Sequence, residues 1–143
     1  MSGVERWKLA AGWVLHVVVA GMLIASGVVK LFIAPSVVVE GLQRFGLGEQ
    51  MQLIGAGEMT AALLMLIPRT SSLGVLLVSA FWGGVICIHM AHAESYLFPS
   101  VMLVVTWVGA YFRSPAMFGS LLNPAGKVGA TFAPPDPVLA RPS

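Results

Sequence analysis

Apolar residues along this chain fall into four long runs separated by short polar breaks. The first, 9–33, reads LAAGWVLHVVVAGMLIASGVVKLFI, and the others cover 51–67, 72–91 and 96–112. Each approaches the roughly 20 residues a helix needs to cross a hydrocarbon layer about 30 Å thick. In lipid a backbone must satisfy its own hydrogen bonds, which leaves helices or closed barrels. No alternating pattern of the roughly ten-residue kind found in barrels is present. The pattern predicts an all-α fold, an integral membrane four-helix bundle.

The breaks refine this picture. Pro68-Arg69 stops the second run, and Arg113-Ser114-Pro115 closes the fourth. The first break, 34–50, is not plainly a loop: SVVVEGLQRFGLGEQ sets Val37, Val38, Leu42 and Phe45 among Glu40, Gln43 and Arg44. That spacing predicts a short amphipathic helix in the membrane interface, either an anchor or a capping lid. Small residues, among them Gly12, Gly21, Gly27, Gly55, Gly57 and the Ser79-x-x-x-Gly83 step, predict close helix contacts. Residues 1–114 read as one transmembrane domain, and 115–143 as a Pro/Gly-rich tail that does not fold alone.

Composition agrees. Of 143 residues 57% are hydrophobic and 10% charged, where a soluble domain carries about 25% charged residues. The net charge of +2 is too small, and the basic residues too scattered, to imply nucleic acid. They set orientation instead. Arg6, Lys8, Arg69, Arg113, Lys127 and Arg141 fall on one side, and Arg44 with Glu40, Glu49 and Glu94 on the other. The Lys/Arg excess places both termini and the central turn in the cytoplasm. The lone Cys87 excludes an internal disulfide or a CxxC relay and reads as packing. The first run exceeds the 7–15 residues of a signal-peptide core, so a cleaved signal is not expected.

Three ionisable residues then stand out inside the apolar runs: Lys30, Glu58 and His89. An isolated charge costs about 3 kcal/mol at the bilayer centre on insertion scales. The topology brings all three toward the outer leaflet. At about 1.5 Å per residue, Lys30 lies roughly 5 Å and Glu58 roughly 11 Å below that boundary. A bending lysine stem spans the difference, and Ser26 stands one turn below Lys30 on the same face. Ser26, Lys30, Glu58 and His89 are therefore the candidate ligand-binding cluster, with Lys30, Glu58 and His89 the catalytic candidates. The competing reading has Lys30 snorkelling to the surface and Glu58 acting as a structural pin. His89, His92 and Glu94 share a helix end, but that spacing is common by chance and no metal site is expected. His16 lies at the other end, roughly 15 Å away in depth, so a haem joining it to His89 is not expected either. It reads as a satisfied core or interfacial histidine. The four tryptophans and eight methionines read as packing.

The segments ASGVVKLF (25–32), LIGAGEMTAALLMLIPRTSSLG (53–74) and GGVICIH (83–89) carry a more specific signal. A Ser-x-x-x-Lys, then a Gly-x-x-Glu, then Ile-Pro-Arg before a helix ending in histidine resembles the DoxX family, in its DoxX-like branch. The resemblance spans roughly 13–112, and Lys30, Glu58, Arg69 and His89 fit its pattern. It implies a small four-helix protein crossing a bacterial inner (plasma) membrane. Some members of the family resemble a membrane subunit of a thiosulfate:quinone oxidoreductase, and others accompany redox or oxidative-stress proteins. The expected function is a redox-associated membrane subunit binding a quinone-like or other apolar ligand, with the bilayer and other membrane or redox proteins as partners. A non-catalytic scaffold or assembly partner is the alternative. A transporter is disfavoured, because no inverted halves or broken helices are evident.

Reporter fusions test the orientation. Fusions at Ser71 and after Arg113 are expected to report cytoplasm, and one within 40–44 the outside. An outside signal at Ser71 reverses the assignment.

Overall fold

The structure is a computed structural model in which residues 3–115 and 118–119 are described. Apart from Pro115, Phe118 and Gly119, the tail expected at 115–143 lies outside the described residues. Among those described the fold is all-helical: α1 (Gly3–Val28), α2 (Ser36–Arg44), α3 (Met51–Leu66), α4 (Ser71–Ala91) and α5 (Leu97–Arg113). The first helix starts six residues earlier than the hydropathy predicts, so Arg6 and Lys8 sit within its opening turns rather than before it.

Local chemistry sets the ends. α1 runs into one wide π turn, Val29–Ile33, closed by Ala34 N–H donating to Val29 O at 2.7 Å. Pro35 follows; the ring clash that disfavours α geometry before proline ends the helix there, and Ala34 takes a left-handed φ of 43°. α2 ends in a Schellman turn, Leu47 N–H to Leu42 O at 2.8 Å and Gly46 N–H to Gln43 O at 2.9 Å. Gly46 sits at φ 71°, where only glycine is unstrained. α4 ends in the same way, with Glu94 N–H on His89 O at 2.8 Å.

α1 packs on α3 and α5, and α4 packs on the same two. The core where they meet is Val19, Leu23, Ala62, Met65, Val75, Val78 and Trp82. The outward faces stay apolar: Val14, Val17, Leu53, Leu63, Leu76, Val104 and Tyr111 are all exposed. Soluble monomers seldom expose apolar surface on this scale. Among the described residues two helices are long and apolar enough to cross a membrane, Gly3–Ile33 with mean hydropathy 2.1 and Ser71–Ala91 with 2.0. α3 and α5 are equally greasy but shorter, at 16 and 17 residues. Cys87, expected as packing, is exposed on α4 instead.

One end of the assembly is locked by Arg113, which the hydropathy treats only as an orientation charge. Its guanidinium donates to Met65 O at 2.7 Å and Leu66 O at 3.2 Å, two of the carbonyls that the end of α3 leaves without helical partners. It also lies 3.7 Å above the Trp13 ring and 3.1 Å from His16 Nδ1. The fully buried His16 reaches Thr106 O through Nε2 at 3.2 Å. A carbonyl only accepts and a guanidinium only donates, so Nε2 carries the proton and Nδ1 the lone pair. His16 is thus a satisfied core histidine, as its position implied.

The α1–α3 crossing depends on two glycines. A Cβ on Gly27 would lie 2.7 Å from Gly55 O and 2.6 Å from Met59 Cγ. Gly27→Ala is therefore expected to destabilise by about 1–3 kcal/mol through overpacking. Gly21→Ala, on the open face of the same helix with nothing within 4 Å, should gain up to about 1 kcal/mol from helix propensity. Denaturant titration in detergent reads both, and shifts of the same sign would remove the close-crossing argument.

Candidate functional site

Ser26 and Lys30 are four residues apart on α1, the spacing that stacks two side chains on one helix face. Lys30 falls in the π turn, where one extra residue per turn turns the chain relative to a regular helix; such single turns recur at functional sites. Across the interface α3 presents Gly55 and, one turn on, Glu58. Because neither Gly27 nor Gly55 carries a side chain, the backbones approach closely and the lysine stem lies over the carboxylate.

The outcome is a closed triangle. Lys30 Nζ donates to Glu58 Oε1 at 2.8 Å and Oε2 at 2.9 Å, and to Ser26 Oγ at 2.5 Å. The Ser26 hydroxyl in turn donates to Glu58 Oε1 at 3.1 Å. The Glu58 side chain is 2% exposed and that of Lys30 13%. An ammonium has three donors and all three are engaged, whereas Glu58 Oε2 accepts only one bond and keeps a lone pair free. The cluster therefore offers a ligand an acceptor rather than a free cation.

His89 stands apart from this triangle. Among the described residues no hydrogen bond joins it to Lys30 or Glu58. Its Nδ1 is 3.8 Å from Glu94 Oε2, too far for a hydrogen bond, and has no other partner. The Schellman turn after α4 brings Glu94 back over His89, and Glu94 also pairs with Arg44 at 2.5 Å. Phe45 at the end of α2 packs on His89 (centroids 5.8 Å apart) and edge-on against His92 (4.9 Å). The amphipathic 36–50 segment is thus fastened to the end of α4 by one exposed ion pair and one aromatic ring.

Two cavities flank the cluster. The larger, about 830 Å³, is a groove between α3 and α4, with Leu42, Phe45 and Leu47 over one end and Ala56, Gly57 and Gly84 among its walls. The smaller, about 280 Å³, lies between α1, α4 and the start of α5, against Leu23, Trp82, Phe98 and Pro99. Lys30, Glu58 and His89 line both. What brings His89 to the other candidates is therefore a shared cavity wall and not direct contact. Sequence reading missed Trp82, whose buried Nε1 has no partner among the described residues, because an indole in an apolar run gives no polar signal. It also missed Phe45 as a neighbour of His89.

Apolar outer faces and an ion pair buried between helices are features of the class of membrane proteins. The chain is a member of the DoxX-like family, which matches residues 14–109. That membership and the apolar helices together point to a membrane protein in contact with the bilayer. No curated protein and no solved structure matches the chain.

The triangle predicts strong coupling. Lys30→Met or Glu58→Gln alone leaves a partner stranded in low dielectric and is expected to cost about 3–5 kcal/mol. The double variant should lose clearly less than the sum. A double-mutant cycle on folded yield and detergent stability reads this, and additive losses would mean that the two sites act independently.

Proposed function

We propose that this chain is a four-helix integral membrane protein of a bacterial inner membrane, with the Arg113 end in the cytoplasm. It acts there as a redox-associated subunit that holds a quinone-like ligand between α3 and α4. The observation that carries this reading is the meeting of an 830 Å³ apolar groove with a buried carboxylate that has acceptor capacity to spare. Ligand sites are mostly apolar clefts of about 300–1,000 Å³ with a few placed polar groups, and this one has that make-up.

The roles follow from the geometry. The groove takes a hydrocarbon tail, and its rim residues Leu53 and Leu77 are exposed to the same lipid from which the ligand comes. Glu58 accepts a hydrogen bond from a ring hydroxyl, as the reduced form of a quinone-like ligand carries. Lys30 and Ser26 hold the carboxylate in place through their hydrogen bonds. His89, part-exposed on the wall of both cavities, is the nearest group able to exchange a proton with the surroundings. The scaffold reading draws on a different observation: the triangle satisfies its own hydrogen bonds, as a pin that only fixes helix register would.

Filling the groove separates the two. A Cβ at Gly57 or Gly84 meets nothing within 4 Å, so Gly57→Leu and Gly84→Leu should fold normally while occupying tail space. Displacing about two methylenes at about 0.8 kcal/mol each weakens binding of a decyl-tailed hydroquinone about tenfold. Ligands co-purifying in mild detergent should fall in parallel. Unchanged binding with a stoichiometric protein partner retained would favour the scaffold.

A further inference from the structure

The link between α1 and α3 does more than join two helices. α1 and α3 are neighbours in the bundle, so a short connection would suffice. Residues 34–50 instead carry α2 out to the end of α4. Two left-handed residues bracket that helix, Ala34 at φ 43° and Gly46 at φ 71°, which makes α2 a rigid piece between two sharp bends. It lands on α4 through Arg44, paired with Glu94 at 2.5 Å, and through Phe45, packed on the rings of His89 and His92. The Schellman turn between Leu42 and Leu47 sets Leu42, Phe45 and Leu47 over one end of the α3–α4 groove.

What holds this segment down is slight. No residue of α2 is buried. The Arg44 side chain is 74% exposed and that of Glu94 33%, so water competes for the ion pair. Exposed pairs of this kind shift an equilibrium by no more than about fivefold. The four long helices, by contrast, share the core that contains Leu23, Met65, Val78 and Ala110. Elements with few buried contacts open locally far more readily than the whole fold unfolds. α2 is therefore the part of the molecule that lifts while the bundle stays intact.

We propose that residues 36–50 form a lid on the groove, latched to α4 by Arg44 and Glu94 and seated by Phe45. Shut, the lid separates the groove from the aqueous phase at this end. Lifted, it opens the groove to water beside His89, which lines the same wall as Glu58. The lid thus sets when groups in the groove exchange with water, and the route from lipid between α3 and α4 does not pass through it. The inference rests on the reading that the groove is embedded in lipid, and it is independent of which ligand the groove holds.

Thiol labelling of the full-length protein in lipid nanodiscs tests the lid. Cys87→Ser removes the native thiol, and Ile88→Cys places one on the groove wall, one residue before His89. The probe is a methanethiosulfonate bearing a trimethylammonium group, which stays in water, so its rate reports how often the groove meets the aqueous phase. Adding Arg44→Gln is expected to raise that rate about two- to fivefold, the range an exposed ion pair supplies. Reversing the pair, with Arg44→Glu and Glu94→Arg together, should return the rate to that of the parent, which a general packing defect would not allow. An unchanged slow rate with Arg44→Gln, or a rise that the reversed pair leaves in place, overturns the latched lid. Labelling as fast as that of free cysteine in all three proteins is a separate result: the groove then stands in water, and the lipid-embedded reading falls together with the lid.

Discussion

A carboxylate buried to 2% exposure between apolar helices is the constraint around which the rest is arranged. Moving such a group out of water costs several kcal/mol even after relaxation, and only a close counter-ion with additional hydrogen bonds offsets that cost. Glu58 receives both from one neighbouring helix. Four-residue spacing aligns Ser26 with Lys30, the π turn redirects the lysine, and paired glycines bring the two backbones together. Each device would be dispensable if position 58 were leucine. The net stabilisation from a buried pair is small, but any other register of α1 against α3 strands a charge. What the pair confers is a single arrangement of two helices that hydrophobic packing alone would leave free to slide.

The two ends of the molecule manage polarity in opposite ways. Around Arg113 the donors and acceptors match: guanidinium to carbonyls, guanidinium to His16, His16 to Thr106. Among the described residues no buried side-chain polar atom there lacks a partner, and cation–π contact with Trp13 covers one face of the guanidinium. Such a network rigidifies. Around Glu58 the bookkeeping is incomplete, since Oε2 keeps an acceptor position and, among the described residues, Trp82 Nε1 and His89 Nδ1 are buried without partners. Closed polar networks hold a fold, whereas open ones beside a cavity are what a ligand can complete. This contrast supports the proposal that a ligand sits at the Lys30 end, although both ends hold buried charge.

Much of this was legible in the chain. Hydrocarbon thickness dictates helix length, and a fixed rise per residue converts position into depth, so the runs at 51–67, 72–91 and 96–112 nearly coincide with α3, α4 and α5. The same arithmetic puts Glu58 within reach of a bending Lys30 stem, and four-residue spacing adds Ser26. Depth is a one-dimensional quantity, and sequence determines it well.

Rotation about each helix axis is another matter. α3 and α4 are apolar on every side, so no hydrophobic stripe tells which face turns inward, and their orientation follows from contacts such as Gly27 against Gly55. Only the tertiary structure decided that His89 meets the cluster across a cavity, that Trp82 buries an N–H with no partner among the described residues, and that Arg113 caps α3. The π turn belongs with these, because no residue type encodes it; it forms where the packing of α1 against α3 and Pro35 require an extra residue. Sequence determined which polar groups share a depth, and packing determined which of them touch, because lipid sorts residues by depth while only neighbouring helices sort them by direction.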